Sequence, residues 1–195
     1  MQNTEELYRP DVVLIGTGMQ GIPYIEEILL ADAAGLCRFV GVIDAEGALG
    51  AGYDALCAAG IPTYRTAEAF FDMHTADLCC IAAPAHLQME YAVLALRFGC
   101  HVLCDGLLGG VLRDWLLVEA LAEKEFKFAA VHDVWACSEA LCALKRDVDY
   151  GFFGKAKHLM VRLYALPDEG PTFEERWAAL TGAAGKRRGG KRKKK

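Results

Sequence analysis

The chain has 195 residues, of which 54% are hydrophobic and 24% charged, with a formal net charge of −5. This length can bury the core of one domain, and the hydrophobic content excludes a disordered protein. The apolar runs are far shorter than the ~20 residues of a membrane span, and the polar, acidic start is unlike a signal peptide. We therefore expect a cytoplasmic protein without a membrane partner.

The charge is distributed unevenly along the chain. Residues 186–195, KRRGGKRKKK, hold eight of the 21 Lys and Arg residues, which leaves 13 basic against 26 acidic side chains elsewhere. The acidic body disfavours nucleic acid as a partner of the folded part. The tail is predicted to be disordered. It is either a nucleic-acid arm, a solubilising tail or the product of an interrupted reading frame, and the abrupt change of composition favours the last.

Apolar strand-like runs alternate with helix-like stretches between residues 11 and 150. Starting with a strand and alternating, the pattern predicts elements at 11–16, 19–33, 38–44, 51–60, 61–64, 66–74, 76–84, 85–98, 100–105, 110–124, 126–131 and 136–150. Gly60 is a candidate C-cap and Thr66 a candidate N-cap. In the helix at 85–98, the spacing predicts a buried stripe of Leu87, Tyr91, Leu94 and Phe98.

Continuous apolar strands that alternate with helices predict an α/β fold in which helices cover both faces of a parallel sheet. This is the doubly wound (Rossmann) arrangement, whose ligands bind at the carboxyl ends of the strands. The pattern changes after residue 150, where residues 156–166 predict one longer strand. We therefore expect a dinucleotide-binding domain at 1–150, the truncated start of an incomplete α+β domain at 151–185 and the tail at 186–195. The unpaired strand at 156–166 predicts self-association.

Eight cysteines lie mostly inside apolar runs, and none forms a CxxC pair. They are predicted to be reduced, buried apolar residues rather than disulfide or metal ligands.

A glycine-rich turn follows the first strand and opens the first helix. Gly16, Gly18 and Gly21 fit the pattern G-x-G-x-x-G in the context expected for dinucleotide binding. Gly16 would allow the tight turn, Gly18 the approach of a pyrophosphate to the backbone, and Gly21 the close packing of helix and strand. The amides of Met19 and Gln20, at the positive end of the helix, are predicted to face the phosphates.

Asp44 ends the second strand, 23 residues after Gly21 and close to the ~20 expected for the acid that binds the ribose. Its carboxylate could accept hydrogen bonds from both ribose hydroxyls and would repel a 2′-phosphate. A nicotinamide dinucleotide is therefore the predicted ligand, with NAD favoured over NADP. A turn aspartate without a ligand is the alternative.

The segment IAAPAHLQMEYAVLALRFGCHVLCD, with the glycine turn and Asp44, resembles the N-terminal half of the Gfo/Idh/MocA family (glucose–fructose oxidoreductase, inositol dehydrogenase, MocA). The resemblance runs from about residue 11 to about residue 180. It implies an NAD(P)-dependent oxidoreductase that moves hydride between nicotinamide and a carbinol carbon of a sugar or polyol. It further implies that Ala83 and Pro84 line the cofactor. His86 would contact cofactor or substrate, unless it is an exposed histidine at a helix start.

Departures from the family pattern bear on activity. Where the family usually has Glu-Lys-Pro, this chain has Asp105, Gly106 and Leu107, so Asp105 keeps a carboxylate at the cofactor site while the lysine is missing. Gln88 stands where a histidine is common, and Ala136 and Glu139 replace an arginine and a proline. The family's second domain, which carries its substrate-facing histidine, is cut short. We therefore assign no catalytic residue and expect impaired hydride transfer, with a non-catalytic dinucleotide-binding module or sensor as the alternative.

Overall fold

The computed structural model describes residues 8–18, 20–44, 53–106, 111–133, 138–155 and 157–158. Its elements are, in chain order, β1 (Asp11–Ile15), α1 (Gly21–Ala33), β2 (Arg38–Ile43), α2 (Tyr53–Ala59), β3 (Thr63–Tyr64), α3 (Ala67–Phe71), β4 (Leu78–Ile81), α4 (Ala85–Arg97), β5 (His101–Asp105), α5 (Leu112–Lys124), β6 (Ala129–His132) and α6 (Glu139–Asp149). Each element predicted between residues 11 and 150 is present, with ends shifted by a few residues. Residues 159–195, which hold most of the predicted last strand and the basic tail, lie outside the described residues.

The six strands in the described ranges form one parallel sheet in the order β3-β2-β1-β4-β5-β6. This is the strand order of dinucleotide-binding Rossmann domains. The chain starts from β1 in the centre, winds outwards to β3 and then returns to β4 on the other side of β1. A crevice is expected at the carboxyl ends of β1 and β4, where the order reverses. The doubly wound fold predicted from the sequence is confirmed.

Alternate residues of β1 feed two separate cores, one on each face of the sheet. Val13 and Ile15 pack in a cluster with buried residues of α3, α4 and α5. Val12 and Leu14 pack in the other cluster, with α1 and α2. A strand that is buried on both sides needs a continuous apolar sequence, and this explains the uninterrupted DVVLI run. None of the described helices is both long and apolar enough to cross a bilayer.

Helix α4 turns a different face to the sheet than its sequence predicts. Its buried residues are Gln88, Ala92, Ala95 and Leu96. The predicted stripe lies beside this face: Leu87, Tyr91 and Leu94 are half-buried at the margin of the core, and Phe98 is 43% exposed while stacking on Phe71. The small alanines allow close packing of the helix against the strands, which hydrophobicity alone does not indicate.

The cysteines follow the prediction in part. Of the seven described cysteines, Cys37, Cys79, Cys80, Cys100 and Cys104 are buried, whereas Cys57 and Cys142 are exposed. Burial raises the pKa of the Cys80 and Cys104 thiols to about 12, so they stay protonated at neutral pH. Cys137 lies outside the described residues. Among those that are described, no group of three or more His, Cys, Asp or Glu residues is placed to hold a metal ion.

Asp77 joins the amino ends of β1 and β4. Its Oδ2 accepts a hydrogen bond from the Asp11 amide at 2.7 Å, and its own amide donates to the Asp11 carbonyl at 2.8 Å. The bond from the Asp11 amide, supported by the Tyr8 hydroxyl, lowers the pKa of Asp77 and outweighs the opposing effect of burial. A lowered carboxyl pKa stabilises the fold at neutral pH, and this stability is lost as pH falls through the folded-state value.

We therefore expect the free energy of unfolding to fall as pH drops below about 4, with part of this loss absent in Asp77→Asn. Urea denaturation between pH 7 and pH 3 measures the effect. Asp72→Asn, at the exposed end of α3, is the matched control and should keep the wild-type acid dependence. An Asp77→Asn curve that parallels the wild type throughout would contradict the assignment.

Candidate cofactor site

The glycine turn connects β1 to α1 with contacts that leave no room for larger residues at two positions. Gly16 has φ +101°, and a Cβ on it would lie 2.5 Å from the Ala82 carbonyl oxygen. A Cβ on Gly21 would lie 2.2 Å from the Gly16 carbonyl oxygen, so the start of α1 rests directly on the turn. Gly18 differs, because no described atom lies within 4 Å of its Cβ position. These contacts fit the tight turn at Gly16 and the close packing at Gly21, while the approach of a pyrophosphate to Gly18 stays a prediction.

The first amides of α1 are used within the turn. The Gly18 carbonyl accepts hydrogen bonds from the Gly21 amide at 2.8 Å and the Ile22 amide at 3.2 Å. A phosphate at this helix start would therefore use amides that precede Gly21, as predicted for Met19 and Gln20. Gln20 is the exposed N-cap residue of α1. Met19 lies outside the described residues.

A cavity of about 230 Å³ opens at the carboxyl ends of β1, β2 and β4. Its walls are formed by Ile15, Gly16, Thr17, Gly18, Gln20, Asp44, Ala82, Ala83, Pro84, Leu87 and Tyr91. Six of the predicted cofactor residues are thus brought together: Gly16, Gly18, Gln20, Asp44, Ala83 and Pro84. The volume is below the ~300–1,000 Å³ of most closed ligand pockets, so the cavity can hold one part of an extended dinucleotide.

Asp44 is 3% exposed and is held in the cavity wall by a residue that sequence analysis missed. The Thr17 hydroxyl, itself buried, donates a hydrogen bond to Asp44 Oδ1 at 2.5 Å. The Asp44 amide donates to the Tyr64 carbonyl at 2.8 Å, which fixes the backbone as well. Among the described residues that line the cavity none is Lys or Arg, and the following segment 45–52 contains none in its sequence. Thr17 could have been predicted from the sequence, because it is a polar residue inside the glycine turn.

Gln88 ties together the carboxyl ends of β4 and β5. Its buried side-chain amide Nε2 donates to the Ala83 carbonyl at 3.0 Å and to the Asp105 carbonyl at 2.7 Å. Within the described part of the chain, Gln88 Oε1 has no hydrogen-bond partner. The residue that the family comparison marks as a departure therefore holds the cavity wall in place.

Gln88→Met should lower the free energy of unfolding by about 1–3 kcal/mol, because two carbonyl groups lose their buried donor. Chemical denaturation measures the change. Glu90→Met on the same helix is the control and should stay within about 0.5 kcal/mol of the wild type, since Glu90 is exposed. A Gln88→Met protein as stable as the wild type would show that the clamp contributes nothing.

Two predicted site residues, His86 and Asp105, are not brought to the cavity wall. His86 is exposed in the first turn of α4, and neither it nor Asp105 is among the described residues that line the cavity. Their cofactor contacts stay predictions. Gly106 has φ +74°, and its amide donates to the His132 carbonyl at 3.1 Å. Leu107 lies outside the described residues.

Asp105 instead belongs to a cluster with two residues that sequence analysis did not single out. The Tyr24 hydroxyl lies 3.1 Å from Asp105 Oδ1 and 3.0 Å from His132 Nδ1. Burial, followed by the negative charge of Asp105, raises the pKa of Tyr24, so the hydroxyl stays protonated at neutral pH. Asp105 and His132 end neighbouring strands, and this position was the available signal.

Residues 11–106 match the model of the Gfo/Idh/MocA oxidoreductase family, described as an NAD-binding Rossmann fold. Residues 11–106 therefore carry the NAD-binding domain of the Gfo/Idh/MocA oxidoreductases. The matched segment of this domain runs from β1 to Gly106 and contains the glycine turn, Asp44 and the Ala83–Pro84 wall. The match to an NAD-binding family model confirms NAD as the cofactor predicted from the sequence.

Solved structures share the fold of this Gfo/Idh/MocA domain. An NAD-binding protein from Listeria innocua is 26% identical, with a TM-score of 0.62 over 76% of this chain and 42% of its own. The WlbA dehydrogenase from Bordetella pertussis, in complex with NADH and UDP-GlcNAcA, is 18% identical, with a TM-score of 0.67 over 75% and 44%. The myo-inositol 2-dehydrogenase from Lactobacillus plantarum is 19% identical, with a TM-score of 0.64 over 76% and 43%. The chain thus spans less than half the length of these proteins. No curated protein matches it.

Proposed function

We propose that this Gfo/Idh/MocA domain binds NAD across the carboxyl edge of its sheet and serves hydride transfer between nicotinamide and a carbinol carbon of a sugar or polyol. One observation carries the binding part: the Asp44 carboxylate, fixed by Thr17, stands in a cavity wall beside the open backbone at Gly18. The family supports the reaction type. The substrate class is supported by WlbA, which was solved with UDP-GlcNAcA, and by the myo-inositol 2-dehydrogenase.

The residues present fit NAD. Asp44 would accept hydrogen bonds from the hydroxyls of the adenosine ribose, while the turn at 16–21 would hold the pyrophosphate. Ala83 and Pro84 would form the wall beneath the dinucleotide. When bound, NAD supplies the hydride acceptor at its nicotinamide ring. The protein's own part is to orient it and to exclude NADP by the charge of Asp44.

We further propose that turnover by this chain is slow or absent. Gly106 replaces the family's lysine, and loss of one acid–base group typically costs ~10²–10⁴-fold in rate. Gly106 also favours the second candidate function, a non-catalytic dinucleotide-binding module or sensor.

The proposed domain limits are 1–150 for the dinucleotide-binding domain, 151–185 for the start of a substrate domain and 186–195 for the basic tail. The described cysteines are mostly buried, which supports a reducing, cytoplasmic location, and we propose self-association through residues 156–166.

Isothermal titration calorimetry with NAD⁺ and NADP⁺ tests the proposal. We expect NAD⁺ to bind and NADP⁺ to bind at least about tenfold more weakly, a difference of ~1.4 kcal/mol. At 100 times its Kd, NAD⁺ should stabilise the fold by about 2.7 kcal/mol. Absence of binding by both nucleotides at millimolar concentration would overturn the proposal. NADH formation in the presence of inositol or sugars then separates the enzyme from the sensor.

A further inference from the structure

The Tyr24–Asp105–His132 cluster is a polar group of three residues that the binding of adenosine and phosphate does not use. Tyr24 belongs to α1, while Asp105 and His132 are the last residues of β5 and β6. The Tyr24 and His132 rings meet edge to face with their centroids 5.9 Å apart. His132 Nδ1 also lies 3.6 Å from Asp105 Oδ1, and 39% of the His132 side chain remains exposed.

The proton positions in this cluster follow from the donors and acceptors available. Tyr24 has a single hydroxyl proton, and an ionised Asp105 can only accept. If Tyr24 donates to Asp105, the His132 Nδ1 must carry a proton and donate to the Tyr24 oxygen. The chain of hydrogen bonds then runs from His132 through Tyr24 to Asp105. It leaves Nε2 as the unprotonated ring nitrogen of a neutral His132.

The cluster lies at the carboxyl ends of β5 and β6, on the same edge of the sheet as the proposed NAD crevice, and Tyr24 and His132 line a separate groove. Asp44 at the end of β2 would hold the adenosine, so the nicotinamide half of the dinucleotide would extend from the switch point towards β4 and β5. Gln88 bonds both the Ala83 carbonyl in the cavity wall and the main-chain carbonyl of Asp105, so it connects the cavity wall to the strand end that carries the cluster. Tyr24 stands less than one helical turn after Gly21, about 4.5 Å along α1.

We propose that His132 is the proton-transfer residue at the nicotinamide end of the crevice, with Tyr24 and Asp105 as its positioning residues. This inference rests on the proposed function. An imidazole suits this role because it gains and loses a proton near neutral pH.

The step balances as an alcohol oxidation. The carbinol hydrogen leaves its carbon as hydride and reduces the nicotinamide ring, the O–H electron pair forms the second bond of the carbonyl, and the hydroxyl proton passes to His132 Nε2. The resulting imidazolium donates through Nδ1 to Tyr24, whose hydroxyl donates to the Asp105 carboxylate. Glu27 lines the same groove as His132, and Asp133 follows His132 in the sequence. The exposed part of the ring allows the proton to return to solvent.

The tautomer of His132 is the first test, and it needs no ligand. Nitrogen-15 NMR of the free protein, assigned by loss of signals in His132→Gln, should show a protonated Nδ1 and a bare Nε2 on neutral His132. His101 is an internal reference of the opposite kind, because the Phe128 amide donates to its Nδ1 at 3.2 Å. Tyr24→Phe should shift His132 towards protonation at Nε2. Tyr64→Phe removes the hydroxyl of the separate Tyr64–His74 pair and should not.

The second test compares NAD⁺ with ADP-ribose, which lacks the nicotinamide ring. Both should shift the amide signals of Gly18 and Asp44, whereas only NAD⁺ should shift the ring signals of His132; His101 should stay unchanged with either. A neutral His132 protonated at Nε2 in the wild type would overturn the inference, and so would ring signals that respond equally to both ligands or to neither while Gly18 and Asp44 respond. The wild-type tautomer is decisive even if Tyr24→Phe fails to fold. Failure of both ligands to shift Gly18 and Asp44 would overturn the proposed function, and the inference with it.

Discussion

Gly21→Ala should destabilise the protein by about 3 kcal/mol or more, at the upper end of overpacking effects. The added methyl carbon would lie 2.2 Å from the Gly16 carbonyl oxygen, which is backbone and cannot rotate away. To relieve this clash, α1 would have to move away from the turn. That movement would disrupt the packing of Ile25 and Leu29 in the core. Thermal unfolding should show a Tm lower by roughly 6–12 °C.

Gly18→Ala is the matched control for this substitution, because it adds the same methyl group three residues earlier in the turn. No described atom lies within 4 Å of the new carbon, and the Gly18 backbone has no positive φ. We expect a Tm close to that of the wild type together with a loss of NAD⁺ binding, since the methyl group would occupy the approach of the pyrophosphate. Equal NAD⁺ affinity in Gly18→Ala would show that the phosphates lie elsewhere. An unchanged Tm in Gly21→Ala would contradict the packing itself.

Asp44→Ala should weaken NAD⁺ binding by roughly 10–100-fold, because hydrogen bonds to a charged group contribute about 1.5–3 kcal/mol. The same substitution should leave NADP⁺ affinity unchanged or improve it, since the charge that repels a 2′-phosphate is gone. Calorimetry with both nucleotides measures the two effects in one protein. Their opposite direction separates a binding role from a general loss of structure.

Asp72→Ala serves as the control for this substitution, because it removes an exposed carboxylate from the end of α3. It should bind both nucleotides as the wild type does. A parallel loss of NAD⁺ and NADP⁺ affinity in Asp44→Ala would indicate that Asp44 only supports the turn. The hydrogen bond from Thr17 to Asp44 is the contact through which Asp44 would support the turn.

Local sequence patterns were sufficient to predict the strand and helix order and the glycine turn. Thr66 shows how local such signals are: its hydroxyl accepts from the Ala69 amide at 3.1 Å, as the capping pattern predicts. Gly60 likewise follows α2 with φ +72°. In both cases the interacting groups lie within a few residues of one another, so the sequence contains the whole interaction.

The failures of prediction concern contacts between distant parts of the chain. Tyr24 contacts Asp105 and His132, which lie 81 and 108 positions further along the chain, and only the strand order brings them together. In α4 the hydrophobic pattern favoured the large side chains, whereas close approach to the sheet selected alanines and one glutamine. Gln88 is polar and yet buried because two strand-end carbonyls need a donor there.

The buried thiols of β4 and β5 do not react with thiol reagents as long as the sheet stays closed. Cys79, Cys80 and Cys104 lie on adjacent strands and are protonated as well as covered, so an alkylating reagent meets them only when these strands part. Cys57 is exposed to the same reagent on the outside of the molecule. An exposed thiol should therefore be labelled fast and the buried thiols slowly. The slow labelling rate measures how often the strands at the nucleotide-binding edge separate.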